Sequence, residues 1–244
     1  MAETGHAINV ANLQKAVQLA TGWGAKYQPS NPLISIVNMT AAATTAEDSL
    51  DDVQTTTTPY RNATAAADDA FEPLSKLITR VVKAMKAQGI AASVIEDANT
   101  YARKIKGERA TPKKKDDPST PNVDESKSSV SASQMSRTQR IEHFDNLNSV
   151  LGSQSLYAPN EDDLKLSTLK AYSTDLKAKT NTITTTFVPF SNSLSARDQV
   201  LYTNDDCVVK VGKLFRTYVE AAFGRTSSEW NQVKGLTFKD LSRT

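Results

Sequence analysis

Histidine and cysteine are scarce in this sequence, so few side chains could act as metal ligands or nucleophiles. The chain has two histidines, His6 and His143, and one cysteine, Cys207. The histidines lie in loosely similar segments and could share a metal site, but no H-E-x-x-H segment supplies the ligand spacing of a zinc protease. We therefore predict no metal and no cofactor. We interpret His143 as a partly exposed surface histidine beside an apolar helical face.

Paired acids are frequent, but their spacing does not suit a catalytic site. They occur at Asp51-Asp52, Asp68-Asp69, Asp162-Asp163 and Asp205-Asp206. Adjacent residues on a helix point about 100° apart, so two such carboxylates do not converge on one substrate or metal. Cys207 directly precedes an apolar helical pattern, and without a basic partner to activate it we interpret it as a buried structural thiol. Because glycine-rich nucleotide motifs and G-x-S-x-G are also absent, the sequence predicts a protein that is not an enzyme.

Positive charge is the remaining candidate for binding. Residues spaced by three and four lie on one side of a helix, and this spacing is found at Lys76, Arg80, Lys83 and Lys86. Together with Lys113, Lys114 and Lys115 they could contact nucleic-acid phosphates or anionic lipid. A solvated helix face is the more common interpretation, because the formal charge of the chain is only +2. A weaker version of the same spacing is found at Lys210, Lys213 and Arg216.

Composition favours a helical protein of a reducing compartment. Only nine of the 244 residues are glycine, alanine is abundant, and the single cysteine cannot form an internal disulfide. The first residues lack the basic and apolar regions of a signal peptide, and no uncharged apolar run approaches the ~18–20 residues that span a bilayer. We therefore expect a cytoplasmic protein without membrane insertion, folded as one large domain or as two of roughly 100–120 residues.

The sequence also indicates an internal duplication. With a shift of 130 residues, the Tyr-x-Pro segment at Tyr27 matches the one at Tyr157, and Pro59-Tyr60-x-Asn62 matches Pro189-Phe190-x-Asn192. After Phe71 the register slips by four, so that Leu74 matches Val208. We assign residues 1–107 to one helical repeat and residues 137–244 to a second.

Residues 108–136 separate the two repeats and differ from them in composition. The segment is rich in proline, serine and lysine, and its apolar side chains are scattered. Such a segment cannot bury enough apolar surface to offset the conformational entropy lost on ordering, so the sequence predicts a flexible linker.

Each repeat is predicted to hold a long helix between shorter helices. The opening helices cover about residues 7–25 and 137–151, and the closing helices follow glycine breaks at Gly89 and Gly224. Ser93 and Thr226, each followed three residues later by glutamate, have the form of capping boxes. Between these helices, apolar residues recur at steps of three and four over 36–85 and 166–222, which is the heptad seam of helices packed along each other. Arg197 and Asn204 interrupt the second seam.

A threonine-rich segment with a proline lies in the middle of each seam, at Pro59 and Pro189. The helical phase does not reset there, so either one long helix continues through a proline kink or two helices meet in a tight turn. The absence of glycine, asparagine and aspartate beside Pro59 favours the kinked helix. Threonine also favours strands, but the unbroken stepping on both sides argues against that third interpretation.

Several segments resemble a group of uncharacterised, hypothetical helical-repeat proteins of Bacteroidota. The similarity is carried by NLQKAV (12–17), TGWGAKYQPSN (21–31), FEPLSKLITRVVKAMKAQG (71–89), ARKIKG (102–107) and YAPNEDDL (157–164). The group has no known activity. The resemblance therefore implies a bacterial cytoplasmic protein and assigns no functional residue.

Together these patterns predict an all-α fold. We expect an elongated helical bundle, built from the duplication with pseudo-two-fold symmetry, whose long proline-kinked or split helices are flanked by short helices. The predicted function is that of a non-enzymatic structural or protein-interaction protein with a protein partner or self-association. The alternative is a nucleic-acid or nucleoid-associated protein that uses the basic helix face and the linker lysines.

Overall fold

Regular secondary structure in the computed structural model, which describes residues 4–108 and 135–242, is entirely helical. The prediction of an all-α bundle is confirmed. The predicted linker lies outside the described residues except at its two ends, and its lysines, Lys113–Lys115, lie wholly outside them. The helices are α1 (Thr4–Trp23), α2 (Ile36–Phe71), α3 (Leu74–Ala87), α4 (Ala92–Lys106), α5 (Arg137–Gly152), α6 (Leu166–Asp198), α7 (Val208–Phe223) and α8 (Ser228–Val233).

The two long helices continue through their prolines. Pro59 lies inside α2, which has 36 residues, and Pro189 lies inside α6, which has 33. The continuous helix that we favoured is therefore confirmed, and both the tight turn and the pair of strands are wrong. Each proline removes the N–H donor for the carbonyl four residues earlier, at Thr55 and Thr185. Both of these residues are exposed, so water can take the place of the missing donor.

The long helices end earlier than their apolar seams. α2 stops at Phe71, and α3 begins at Leu74 after only Glu72 and Pro73. α6 passes into a π-helical turn, Gln199–Thr203, before α7 begins at Val208. The prediction of unbroken helices to residues 85 and 222 is therefore wrong. The apolar spacing did not predict the break between α2 and α3. The gap is only two residues long, so Phe71, Leu74 and Ile78 still face the same core.

The approaches to the two long helices have the same local structure. A 3₁₀ turn, Pro32–Ile34 or Asp162–Leu164, precedes α2 and α6 respectively. The Tyr27 hydroxyl donates to the carbonyl of Ile34 at 2.5 Å, and the Tyr157 hydroxyl donates to the carbonyl of Leu164 at 2.8 Å. Burial raises the pKa of Tyr27, and it raises that of Tyr157 to about 12. Asn31 caps the first of these turns, since its side chain accepts from the Leu33 N–H at 3.0 Å.

The shorter helices begin differently from their predicted capping boxes. Ala91 precedes α4 without a side-chain cap, so the predicted cap at Ser93 is wrong. The cap of α8 is Ser227, whose hydroxyl accepts from the Trp230 N–H at 3.0 Å, and not Thr226. The glycine breaks are confirmed, because Gly89 and Gly224 have φ of 76° and 82°, a region that glycine adopts without steric cost.

The chain divides into two compact units, and each unit draws on both of the predicted repeats. Unit 1 comprises Met1–Arg61 with Thr186–Thr244, and unit 2 comprises Asn62–Thr185. Unit 1 therefore holds the opening of the first repeat and the end of the second. Unit 2 holds the end of the first repeat and the opening of the second.

The core of unit 1 is formed by α1, the first half of α2, α7 and the C-terminal segment. α1 packs against α7, and α7 packs against α8. Alanines Ala16 and Ala20 are fully buried on α1 and allow close helix approach. The C-terminal segment covers this core with Leu236 and Phe238. The other buried apolar residues of this core are Val10, Leu13, Tyr27, Ile34, Met39, Ala43, Ala46, Leu201, Val208, Val209, Val211, Phe215, Val219 and Val233.

The core of unit 2 is formed by α3, α4, α5 and the first half of α6. α4 packs against both α3 and α5. Ala98 and Ala102 give α4 a small-residue face toward these neighbours. The remaining buried apolar residues are Phe71, Leu74, Ile78, Val81, Val82, Met85, Ile90, Ile105, Ile141, Phe144, Leu147, Leu151, Tyr157, Leu164, Leu169 and Leu176.

Candidate functional site

The proline segments of α2 and α6 face each other within unit 1. The rings of Tyr60 and Phe190 stack at 5.2 Å with an interplanar angle of 11°, and Phe187 tilts against Tyr60 at 5.5 Å. The hydroxyls of Thr56 and Ser193 form a hydrogen bond of 2.7 Å. Because lower numbers on α2 meet higher numbers on α6, the two helices run antiparallel here. Tyr60 and Phe190 are aligned by the shift of 130 residues, so the two segments that the predicted duplication relates pack against each other.

The two segments that carry these rings contain no charged residue. Residues 53–60 and 180–196 contain no Asp, Glu, Lys or Arg, although 23% of the chain is charged. Within these segments Phe187 is 46% exposed and Val188 is 51% exposed. We call Thr55–Tyr60 together with Thr186–Phe190 the charge-free patch. The arrangement offers apolar and aromatic contact area with few groups that would have to be desolvated.

The threonines of the patch are accommodated in the helix by bonding back to it. The Thr56 hydroxyl donates to the Asp52 carbonyl at 2.8 Å, and the Thr57 hydroxyl donates to the Val53 carbonyl at 2.6 Å. This pattern satisfies the hydroxyls inside a helix, although threonine is only a modest helix former. It explains how a run that favours strands in isolation forms helix here.

The basic helix face is formed as predicted by spacing. Its four side chains are exposed along α3, and the opposite side of α3 is buried in the core of unit 2. Arg80 pairs with Asp163, which belongs to the turn before α6. Among the residues that the structure describes, Lys76, Lys83 and Lys86 form no ion pair. We call these four residues, Lys76, Arg80, Lys83 and Lys86, the basic face.

Two of the three basic residues on α7, Lys210 and Arg216, are held in contacts inside unit 1. Lys210 pairs with Asp205 at 2.9 Å. The Arg216 guanidinium lies 5.9 Å from the Trp230 ring centroid and donates to the Lys234 carbonyl at 3.3 Å. This face therefore offers less free positive charge than α3 does.

A buried polar cluster in unit 1 ties the C-terminal segment to α1. The Asn9 amide donates to the Lys239 carbonyl at 2.7 Å and accepts from the Lys239 N–H at 3.0 Å. Nearby, His6 and the Tyr202 hydroxyl are 2.5 Å apart, and burial raises the pKa of Tyr202. Arg197 is fully buried and pairs with Asp198 at 2.6 Å. In the sequence Arg197 is recognisable only as a polar interruption of the apolar seam, because burial of a single cation has no sequence signal.

The remaining candidate residues of the sequence have structural surroundings. Cys207 is buried at the start of α7, which confirms its predicted burial. His143 is buried on α5, so the prediction of a partly exposed histidine is wrong. Its ring lies 6.5 Å from that of Tyr101 on α4, which covers this side of α5. Burial, and then the charge of Lys104, lower the pKa of His143. Within 4–108 and 135–242, no group of three or more His, Cys, Asp or Glu could hold a metal ion.

Each unit has a cleft on its described surface. The cleft of unit 1, of about 310 Å³, lies between the start of α2 and the π-helical turn. The cleft of unit 2, of about 530 Å³, lies at the start of α5. There Arg137 pairs with Asp68, and Arg140 stacks over Phe71 at 5.1 Å and donates to the Ile105 carbonyl at 3.0 Å. Both arginines of the second cleft are therefore already engaged within the protein.

Comparison with protein families, curated proteins and solved structures found no match to this chain. The resemblance to the Bacteroidota group thus stays a prediction. Within the described residues, every helix is too short or too polar to cross a bilayer.

Proposed function

We propose that the protein is a non-enzymatic helical interaction protein that engages a protein partner, or a second copy of itself, through the charge-free patch. The observation that carries the proposal is the exposure of Phe187 and Val188 in a segment without charged side chains. A cytoplasmic location, inferred from the single cysteine and the composition, belongs to the same proposal.

The physical argument rests on what protein interfaces select. The centres of interfaces are depleted in charged residues and enriched in aromatic ones, because desolvating a charge is costly and burying a ring is favourable. The Tyr60 ring contacts the rings of both Phe190 and Phe187, so the exposed Phe187 side chain packs on an aromatic neighbour. Isolated apolar residues on a protein surface are common, but adjacent exposed apolar residues next to packed aromatic rings are typical of a contact site.

Site-specific crosslinking tests this proposal in the native host. A photoreactive phenylalanine analogue replaces Phe187 in one variant and Val37, which is 76% exposed elsewhere on α2, in a control variant. We expect a discrete covalent adduct, either a homodimer or a complex with a second protein, from position 187 only. Reconstituted binding of that partner should weaken about tenfold with Phe187→Ser and change little with Val37→Ser. Equal adducts from both positions, or unchanged binding by Phe187→Ser, would contradict the proposal.

Nucleic-acid binding through the basic face is the second candidate function. The observation that favours it is the exposure of Lys76, Lys83 and Lys86 on a helix that carries no acidic residue. Phosphate contacts by lysine release counterions, so affinity should fall steeply as salt is added. Fluorescence anisotropy with duplex DNA and single-stranded RNA at low ionic strength measures this. Replacing the three lysines by alanine should abolish binding, whereas Lys210→Ala with Lys213→Ala should not. Absence of binding by the full chain at low salt would refute this candidate.

A further inference from the structure

The cleft of unit 1 is lined by residues that the predicted duplication aligns with different residue types in unit 2. Its lining includes Ala42 and Thr45 of α2, Val200 of the π-helical turn, and the exposed residues Asn204 and Asp206 that follow this turn. Its volume of about 310 Å³ is at the lower limit of pockets that hold small molecules.

The first difference between the repeats is a missing ring. The shift of 130 residues that relates Tyr27 to Tyr157 also relates Ala42 to Tyr172 and Val200 to Ala70. In unit 2 the Tyr172 hydroxyl donates to the carbonyl of Ala70. In unit 1 the corresponding positions, Ala42 and Val200, both line the cleft. A tyrosine side chain thus joins two positions in unit 2 that open space separates in unit 1.

The second difference is an insertion at the same place. α3 begins three positions after Phe71, whereas α7 begins seven positions after the equivalent residue, Leu201. The four additional residues are accommodated by the π-helical turn and the loop that follows, which supplies Asn204 and Asp206 to the cleft. π-Helical turns are rare and occur often at functional sites, because the widened turn changes the direction of nearby side chains. The loss of the ring and the gain of polar residues therefore occur at one cleft.

The exposed polar side chains that line the cleft indicate which charge a ligand would carry. Asp206 is exposed and forms no ion pair with any residue in the described parts of the chain, while its neighbour Asp205 pairs with Lys210. Thr45 and Asn204 add a hydroxyl and a carboxamide, and the alanine and valine side chains between them are apolar. A ligand with an apolar ring and a positively charged end would match this lining.

We propose that this cleft binds a small phenolic amine, whose ring takes the place that the Tyr172 ring fills in unit 2. The phenol hydroxyl is directed toward the Val200 carbonyl, as the Tyr172 hydroxyl is toward Ala70, and the ammonium group is directed toward Asp206. The site is separate from the charge-free patch and from the basic face, so it stands or falls independently of the proposed function.

Titration of the ¹⁵N-labelled full chain with tyramine tests the proposal. We expect shifts of the amide resonances of Ala42, Thr45, Val200 and Asn204, and weaker binding of p-cresol, which lacks the amine. 4-Hydroxyphenylacetate, which carries a negative charge instead, should bind least. Shifts scattered over the surface, or none at these four residues, would overturn the proposal.

Three variants make the test specific. Ala42→Tyr should fill the cleft from within and abolish the tyramine shifts, whereas Thr44→Tyr, exposed on the same helix and outside the cleft, should leave them unchanged. Asp206→Asn should weaken tyramine about two- to fivefold, as expected for an exposed ion pair, without affecting p-cresol. Tyramine binding that survives in folded Ala42→Tyr protein, or an equal loss of both ligands in Asp206→Asn, would contradict the assigned orientation and site.

Discussion

Tyr27 and Tyr157 are a matched pair of buried residues that hold the approaches to the long helices. Each hydroxyl donates to the carbonyl seven residues later. Replacing either by phenylalanine leaves a buried carbonyl without this donor, so we expect each variant to lose about 1–2 kcal/mol of unfolding free energy. Urea denaturation of Tyr27→Phe and Tyr157→Phe measures both, with Tyr101→Phe as a control at a half-buried tyrosine. A loss in only one of the pair would show that the two turns are not energetically equivalent.

His143 gives the protein a pH-dependent contribution to stability. Burial and the Lys104 charge lower its pKa below the ordinary 6.5 of the unfolded chain. At a pH between the pKa of His143 in the folded state and its pKa in the unfolded state, the unfolded state binds more protons. The contribution of His143 to stability is therefore fully present above about pH 6.5 and is lost as the pH falls below that value. We expect the unfolding free energy of wild type to fall more than that of His143→Gln between neutral pH and about pH 5. Parallel pH profiles in urea denaturation would contradict this expectation.

The burial of a single residue was predicted well from the sequence where that residue lies next to a periodic apolar pattern. Cys207, next to the apolar stripe of α7, is buried as expected. His143 was mispredicted because burial of α5 extends beyond its most apolar face once α4 packs over it, and that packing depends on distant residues. The cleft of unit 1 was not predicted, since Ala42 is unremarkable until Tyr172 is recognised as its equivalent.

The proline segments test how the long helices are stabilised. Proline in a helix interior is less favourable than alanine by up to about 3 kcal/mol, because one hydrogen bond is lost and the ring crowds the preceding turn. Since α2 continues through Pro59, we expect Pro59→Ala to raise the unfolding free energy by about 1–3 kcal/mol. Denaturant unfolding measures the change, and Thr58→Ala serves as the control for helix propensity at the neighbouring exposed position. A loss of stability would mean that packing around Tyr60 requires the proline geometry.

Helix existence was predictable from the sequence, and helix ends were less so. Steps of three and four predicted helix over 36–85 and 166–222, and most of these two ranges is helical because an apolar stripe faces a core, but each range is divided between two helices. The break at Glu72–Pro73 was not predicted, because a gap of two residues leaves the apolar residues of α2 and α3 on the same side. The π-helical turn also escaped notice, because its additional residue changes backbone bonding without a characteristic residue type.

At the scale of the whole molecule, the compact units and the sequence repeats have different boundaries. The core of unit 1 combines α1 with α7, and the core of unit 2 combines α5 with α3 and α4. Each core thus needs helices from both sides of the segment that joins the repeats. Sequence similarity shows which residues are equivalent, but it does not show which copies pack together, and this pairing could be read only from the structure.

Separation of the chain into fragments 1–108 and 109–244 tests this pairing most directly. Each fragment carries one part of each core, so we expect neither to unfold cooperatively as a monomer. A mixture of the two should form a one-to-one complex with a cooperative urea transition, detected by circular dichroism and sedimentation velocity. A homodimer of one fragment would agree with this expectation, because the repeats are equivalent and two chains would complete each core. Cooperative unfolding of either fragment alone as a monomer would contradict it.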